Sequence, residues 1–198
     1  GYVLVKDPAQ VSISELLRLI DGPMAPLPCL SRRSYERCAD CADEESCRIR
    51  RVFAEVFWSY LVLIESLTLA DMVRSMLAHF EQSVEHMLPI WSHYANENWC
   101  MIGYHSVPVI ADAVLKGNAP FDANKALDAC VTTARTARYD GIGYYMQLGY
   151  VPEDKSGSSV SKTLEYAYDD WCIAQMAQKL GRQDIYQEFS KRAQNWQN

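Results

Sequence analysis

Apolar residues recur at three- and four-residue steps along most of the chain, the spacing that turns one face of a helix toward a core. From about residue 49, Val52, Phe53, Val56, Phe57, Tyr60, Leu61 and Ile64 form such a stripe, with Trp58 and Leu63 falling beside it. That predicts a long helix, greasy on two sides and in need of a partner. After Thr68 the pattern restarts with Met72, Met76, Phe80, Val84, Met87 and Leu88, a second amphipathic helix stopped by Pro89. Other helices are predicted over 15–20, with Ser12 or Ser14 as cap and Asp21-Gly22-Pro23 as stop, over 106–116, and over 123–137 behind an Asp122 cap. Two more are predicted over 160–180, ended by Gly181, and over 184–196. Alternation over 2–5 predicts a short strand ending at Lys6-Asp7-Pro8, and a loop rich in Pro and Cys follows the first helix. Gly141, Gly143 and Gly149 punctuate a short aromatic segment. The fold class is mainly α, with a short N-terminal strand and a Cys-rich loop ahead of the main helical part.

Composition supports a buried core: of 198 residues, 49% are hydrophobic and 22% charged. The net charge of −6 is shared evenly, −3 through Val73 (8 basic, 11 acidic) and −3 after it (11 basic, 14 acidic). No broad basic surface for nucleic acid is implied. The longest uncharged run in the most apolar region, residues 56–64, is far shorter than the roughly 20 residues that cross a bilayer, so no membrane partner is expected. The opening "GYVLVKDP" lacks the features of a signal peptide, and the expectation is a cytoplasmic chain.

Seven cysteines are present, and Cys38, Cys41 and Cys47 fall within ten residues. Thiolates so spaced can converge on a soft metal centre; the alternative is a reduced thiol cluster on a surface loop. Cys100, Cys130 and Cys172 stand singly in apolar sequence, where a thiol serves as a small core residue. The stretch "GYVLVKDPAQVSISELLRLIDGP", then "PCLS", the cysteines and "CRIRRVFAEV…LTLAD" resembles the C-terminal half of the winged-helix repressors of the IscR/NsrR family, over residues 1–73. That resemblance implies that "GY" ends the wing, that Cys38, Cys41 and Cys47 ligate an iron–sulfur cluster, and that 52–64 is the dimer helix. The gap between Cys38 and Cys41 is narrower than the family's usual spacing, and no His or Glu stands at an obvious fourth-ligand position. The family's helix-turn-helix would precede Gly1, so no DNA binding is expected from these residues.

Glu97 sits between Asn96 and Asn98, beside Trp99 and ahead of a Gly-containing turn. A carboxyl against an indole in a dry pocket suits a general acid. Spacing alone favours an exposed turn glutamate. The stretches "MLPIWSHYANENWCMIGYHSVPVIADAVLKG", "DGIGYYMQLGYVPEDKSGSSVSKTLEYAYDDWCIAQMAQKLG" and "YQEFSKRAQNWQN" resemble glycoside hydrolase family 92, the calcium-dependent inverting exo-α-mannosidases, over residues 74–198. The resemblance implies part of an α/α toroid of six helical hairpins, Glu97 as catalytic acid, and calcium on the 2- and 3-hydroxyls of an α-mannoside or mannose-rich glycan. Trp99, Tyr104 and His105 are the candidate sugar contacts. Inversion needs a second carboxylate roughly 6.5–9.5 Å from the acid. The family places that base downstream of "QNW", so an inactive partial hydrolase is expected. Asp169 and Asp170 lie in a helical segment and read as structural, with Asp170 hydrogen-bonded inside the fold. Ser156-Gly157-Ser158-Ser159 stands where α-1,2-selective members carry a His-Glu pair. His79, His86 and His93 are seven apart, but Pro89 interrupts them and no metal triad is expected.

The two resemblances meet at 73/74 with no Gly, Ser or Pro linker, which divides the chain into a repressor-like segment, 1–73, and a mannosidase-like segment, 74–198. Besides the hydrolase reading, an iron–sulfur or redox-sensing dimerisation module and a non-functional chimera are the alternatives. Uncovered helix faces of a partial toroid predict self-association. Family 92 members are usually exported, against the cytoplasmic expectation for this chain.

Overall fold

The computed structural model describes residues 6–41, 43–93, 96–117 and 120–198. The strand predicted over 2–5 lies outside them. The chain is mainly helical and divides into two compact units, 1–71 and 72–198.

In the first unit, α1 (Ile13–Ile20) starts where Ser12 Oγ accepts the Glu15 N–H at 3.2 Å, the cap expected of a serine at that position. Helix α2 (Arg48–Ser66) begins at Cys47, whose sulfur accepts the Arg50 N–H at 3.4 Å. Main-chain bonds from Ile13 N to Leu67 O (2.9 Å) and Leu69 N to Val11 O (3.3 Å) tie the entry of α1 to the exit of α2. The core between them is small: Cys29, Leu30, Phe57, Leu61 and Ile64, with Leu17 and Met24 packed against it. The apolar stripe of α2 is therefore only partly buried, contrary to the periodicity reading. Val52, Phe53, Val56 and Tyr60 are exposed, Val56 by 64%. One short helix can cover one face of α2 and no more.

The second unit is built around α7 (Ser159–Lys179), which packs against α4 (Ser106–Lys116), α5 (Ala123–Ala134) and α8 (Gln183–Arg192). Helix α3 (Leu69–Gln82), in whose first turn the two units divide, adds Val73, Met76, Leu77 and Phe80 to this core. Phe189, Ile173, Met176, Ile110 and Leu127 are fully enclosed, each worth roughly 1.5–3 kcal/mol of burial. Helix α3 ends earlier than the pattern through Leu88 predicts, because the chain turns at Ser83–His86 with His86 at φ 48°. This turn delivers the Leu88 N–H to Thr133 Oγ1 at 2.9 Å. Helix α5 likewise stops at Ala134, three residues short of the prediction. The aromatic segment is itself helical, α6 (Ile142–Leu148), entered through Asp140 (φ 36°) and Gly141 (φ 85°). Residues 195–197 close the chain as a 3-10 turn rather than continuing α8. Among the described residues no helix is long and apolar enough to cross a membrane.

Candidate active site

Between α3 and α4 a short antiparallel hairpin pairs β1 (Ser92–His93) with β2 (Asn96–Glu97), Ser92 opposite Glu97. Two residues per strand make a weak ladder, and the Glu97 side chain does most of the closing. Its Oε2 accepts the N–H groups of Ile90 (2.5 Å) and Trp91 (3.1 Å); its Oε1 accepts those of Asn98 (3.0 Å) and Trp99 (3.1 Å). A carboxylate offers about four lone-pair positions, and all are taken. Glu97 is only 3% exposed. The exposed turn glutamate favoured by spacing is thus corrected: the hairpin wraps main-chain donors around the carboxyl, a cradle that spacing does not encode.

Trp99, in the left-handed region at φ 61°, lays its ring 4.4 Å from that of Tyr139, whose hydroxyl donates to Met101 O at 3.2 Å. The indole stays 46% exposed and borders a cavity of about 580 Å³ that Glu85, Arg138, Tyr139 and Asp140 also line. Lys162 Nζ holds Asp140 at 2.6 Å and reaches Ser156 Oγ at 2.8 Å, so the Ser156–Ser159 stretch adjoins this carboxylate. Burial pushes the Tyr139 hydroxyl to a higher pKa, with the Asp140 and Glu97 charges adding to the effect.

Tyr104 lies elsewhere. It is wholly buried, stacked on Tyr166 with ring centres 5.1 Å apart, and its hydroxyl donates to Asp170 at 2.6 Å. The expectation that it touches sugar is corrected: its ring and hydroxyl are consumed by the core. Asp170 also receives Arg192 Nε at 2.8 Å and the Tyr145 hydroxyl at 3.0 Å. Burial raises the Asp170 pKa to about 6, against the opposing pull of Arg192 and the two tyrosines. This is the internal hydrogen-bonded aspartate anticipated from the sequence.

Neighbouring Asp169, equally buried, accepts the Tyr104 N–H at 2.8 Å and faces His105 Nδ1 at 3.0 Å. His105 Nε2 lies 3.0 Å from Glu165, which is half exposed. Both ring nitrogens therefore face carboxylates. The Asp169 hydrogen bond raises the His105 pKa, with burial opposing. Gly103, at φ 82°, makes room for the ring, since a Cβ there would come within 2.4 Å of His105 Nε2.

Of the cysteine loop, Cys38 is exposed while Cys41 and Cys47 are half-buried. Burial raises the Cys41 pKa, and the adjoining Cys47 thiol adds to it, so these two sulfurs are neighbours. Among the described residues no three His, Cys, Asp or Glu side chains are gathered to hold a metal ion. His79 Nδ1 lies 3.0 Å from Ser92 Oγ and His86 Nδ1 lies 3.3 Å from Phe80 O.

A model of the glycosyl hydrolase family 92 catalytic domain matches residues 55–198. The chain belongs to glycosyl hydrolase family 92. A second model, Rrf2, described as an iron-dependent transcriptional regulator, matches residues 1–75. The family 92 chain therefore carries a regulator-like beginning, and residues 55–75 fall within both matches. A family GH92 α-mannosidase from Bacteroides thetaiotaomicron, solved in complex with mannoimidazole, is 56% identical over 65% of this chain and 17% of its own, with a TM-score of 0.63. An inverting GH92 mannosidase from the same organism is 38% identical over 63% of this chain and 18% of its own, with a TM-score of 0.57. An uncharacterised secreted glycosidase of Arthroderma benhamiae is 30% identical over 112 residues, 14% of its length. An Rrf2-like HTH-type transcriptional regulator of Rhodobacter capsulatus is 73% identical over 73 residues, 37% of this chain and 49% of that protein. This family 92 chain thus spans half of the curated regulator and under a fifth of the hydrolases.

The sequence singled out Glu97 and Trp99, which the fold does bring together. It missed Tyr139, Asp140 and Lys162. The Asp140-Gly141 pair is a turn signal that could have pointed to the second wall of the cavity.

Proposed function

We propose that residues 74–198 are the acid-side portion of an α-mannosidase active site, and that this segment by itself binds an α-mannoside at Trp99 without hydrolysing it. One observation carries the reading: the buried Glu97 carboxyl accepts the main-chain N–H of Trp99, whose exposed indole lines a cavity, in a region similar to a mannosidase solved with mannoimidazole. In this reading Trp99 is the platform for a sugar face and Glu97 is the acid-side carboxyl.

Two features favour binding without turnover. Glu97 accepts four N–H bonds, so it can present a proton to a glycosidic oxygen only after one of them lets go. Asp169 and Asp170, the buried carboxylates of α7, have no solvent access from which to activate water on the far side of a sugar.

Calorimetric titration with methyl α-mannopyranoside tests the platform. Trp99→Ala should weaken binding about fivefold to tenfold, as loss of a stacking contact worth ~1 kcal/mol would. Unchanged affinity in that variant sinks the platform. Turnover of p-nitrophenyl α-mannoside by the unaltered chain with calcium sinks the binding-only reading.

We also propose that residues 1–73 are the dimerisation and cysteine-loop segment of an Rrf2-type regulator. The adjacency of Cys41 and Cys47, and the exposed stripe of Val52, Phe53, Val56 and Tyr60 on α2, favour it. Sedimentation should give a dimer that Val56→Glu dissociates. Anaerobic incubation with iron and sulfide should give a coloured protein only while Cys38, Cys41 and Cys47 are all present; a colourless product refutes cluster binding.

A further inference from the structure

The first unit contains a cavity that neither family resemblance assigns. Its volume is about 620 Å³, within the range of roughly 300–1,000 Å³ typical of small-molecule sites. The floor is apolar, formed by buried Leu30, Phe57 and Leu61. The rim is cationic: Arg18, Arg32 and Arg33 line it, and Glu65 is the one carboxylate among the lining residues. Arg18 Nη2 lies 2.6 Å from Glu65 Oε1, so those two charges offset each other and Arg32 and Arg33 set the sign of the rim.

Arg32 is held in place by an aromatic partner, its guanidinium carbon 4.5 Å from the centre of the Trp58 ring. A guanidinium stacked in this way keeps its in-plane N–H groups for a planar anion. Charge and shape therefore agree on one chemistry, an anionic head at the rim with an apolar body on the floor. Neutral amphiphiles would leave the rim charges unanswered, and cationic ones would be repelled.

The cavity is also separate from the exposed face of α2. Trp58, Val62 and Glu65 follow one flank of that helix at steps of four and three. Val52, Val56 and Leu63 follow another at steps of four and seven. A protein partner seated on the second flank leaves the first open.

We propose that this cavity binds an organic monoanion with an apolar body, its carboxylate on Arg32 and Arg33 and its hydrocarbon part on Leu30, Phe57 and Leu61. The full chain is titrated calorimetrically with decanoate below its micellar concentration, with 1-decanol and with decyltrimethylammonium. Decanoate should bind saturably at one site, decanol about tenfold or more weaker, and the ammonium compound not at all, as expected when a charge-assisted pair anchors the head. Arg32→Gln combined with Arg33→Gln should weaken decanoate about tenfold while leaving the melting temperature in place. Equal affinity for decanoate and decanol overturns the proposal. So does a double variant with unaltered affinity, or no decanoate binding through the millimolar range. The comparison of decanoate with decanol uses the unaltered chain and decides alone should the double variant not fold.

Discussion

Helices α2 and α7 are of similar length, and they use it oppositely. Helix α2 buries Phe57, Leu61 and Ile64 on one face and leaves Val52, Phe53, Val56 and Tyr60 in solvent. Helix α7 buries apolar and charged groups alike, among them Tyr166, Ile173 and Met176 with Asp169, Asp170 and Lys162. Apolar content did not decide this: α2 is the more hydrophobic sequence, and α7 is the one surrounded. Burial follows the number of neighbouring elements, and charged residues become core residues when those neighbours bring donors for every oxygen.

The sharpest break of that contrast is Asp170→Ala. It leaves Arg192, itself largely buried, and the hydroxyls of Tyr104 and Tyr145 without their shared acceptor. Loss of one partner from a buried pair costs ~3–5 kcal/mol, and denaturant unfolding followed by tyrosine fluorescence should register a loss of that order. Phe57→Ala, in the five-residue core of the first unit, should cost about 3 kcal/mol. Amide exchange should then speed up across α1 and α2 and stay unchanged in α7; equal acceleration in both units would erase the distinction drawn here. The smallest effect concerns His105. Its folded pKa is raised above the unfolded value of about 6.5, so its stabilising contribution is complete below that pH and is lost as pH rises through the folded value. The melting-temperature advantage of the unaltered chain over His105→Gln should shrink from about pH 6 to about pH 9, and an advantage that grows over that range would contradict the assignment.

Much of this was legible in the residue pattern. The bounds of α4 and a serine cap for α1, at 12 or 14, were readable, because caps and periodicity are local. The structural role of Asp170 was readable too, from its place within a helical segment. What failed depended on partners distant in sequence. The stripe on α2 promised burial that no second element supplies. Tyr104 looked like a ring beside a sugar until Tyr166 and Asp170, more than sixty residues away, claimed it. Glu97 looked exposed because nothing in "NENW" announces the amides of Ile90 and Trp91.

The crowding of amides around Glu97 also changes what the customary isosteric replacement does. A glutamine there keeps the shape but turns one acceptor into an NH₂ group that confronts two main-chain N–H groups, either those of Ile90 and Trp91 or those of Asn98 and Trp99. The swap should therefore weaken the main-chain contacts that close the hairpin as well as remove the proton donor.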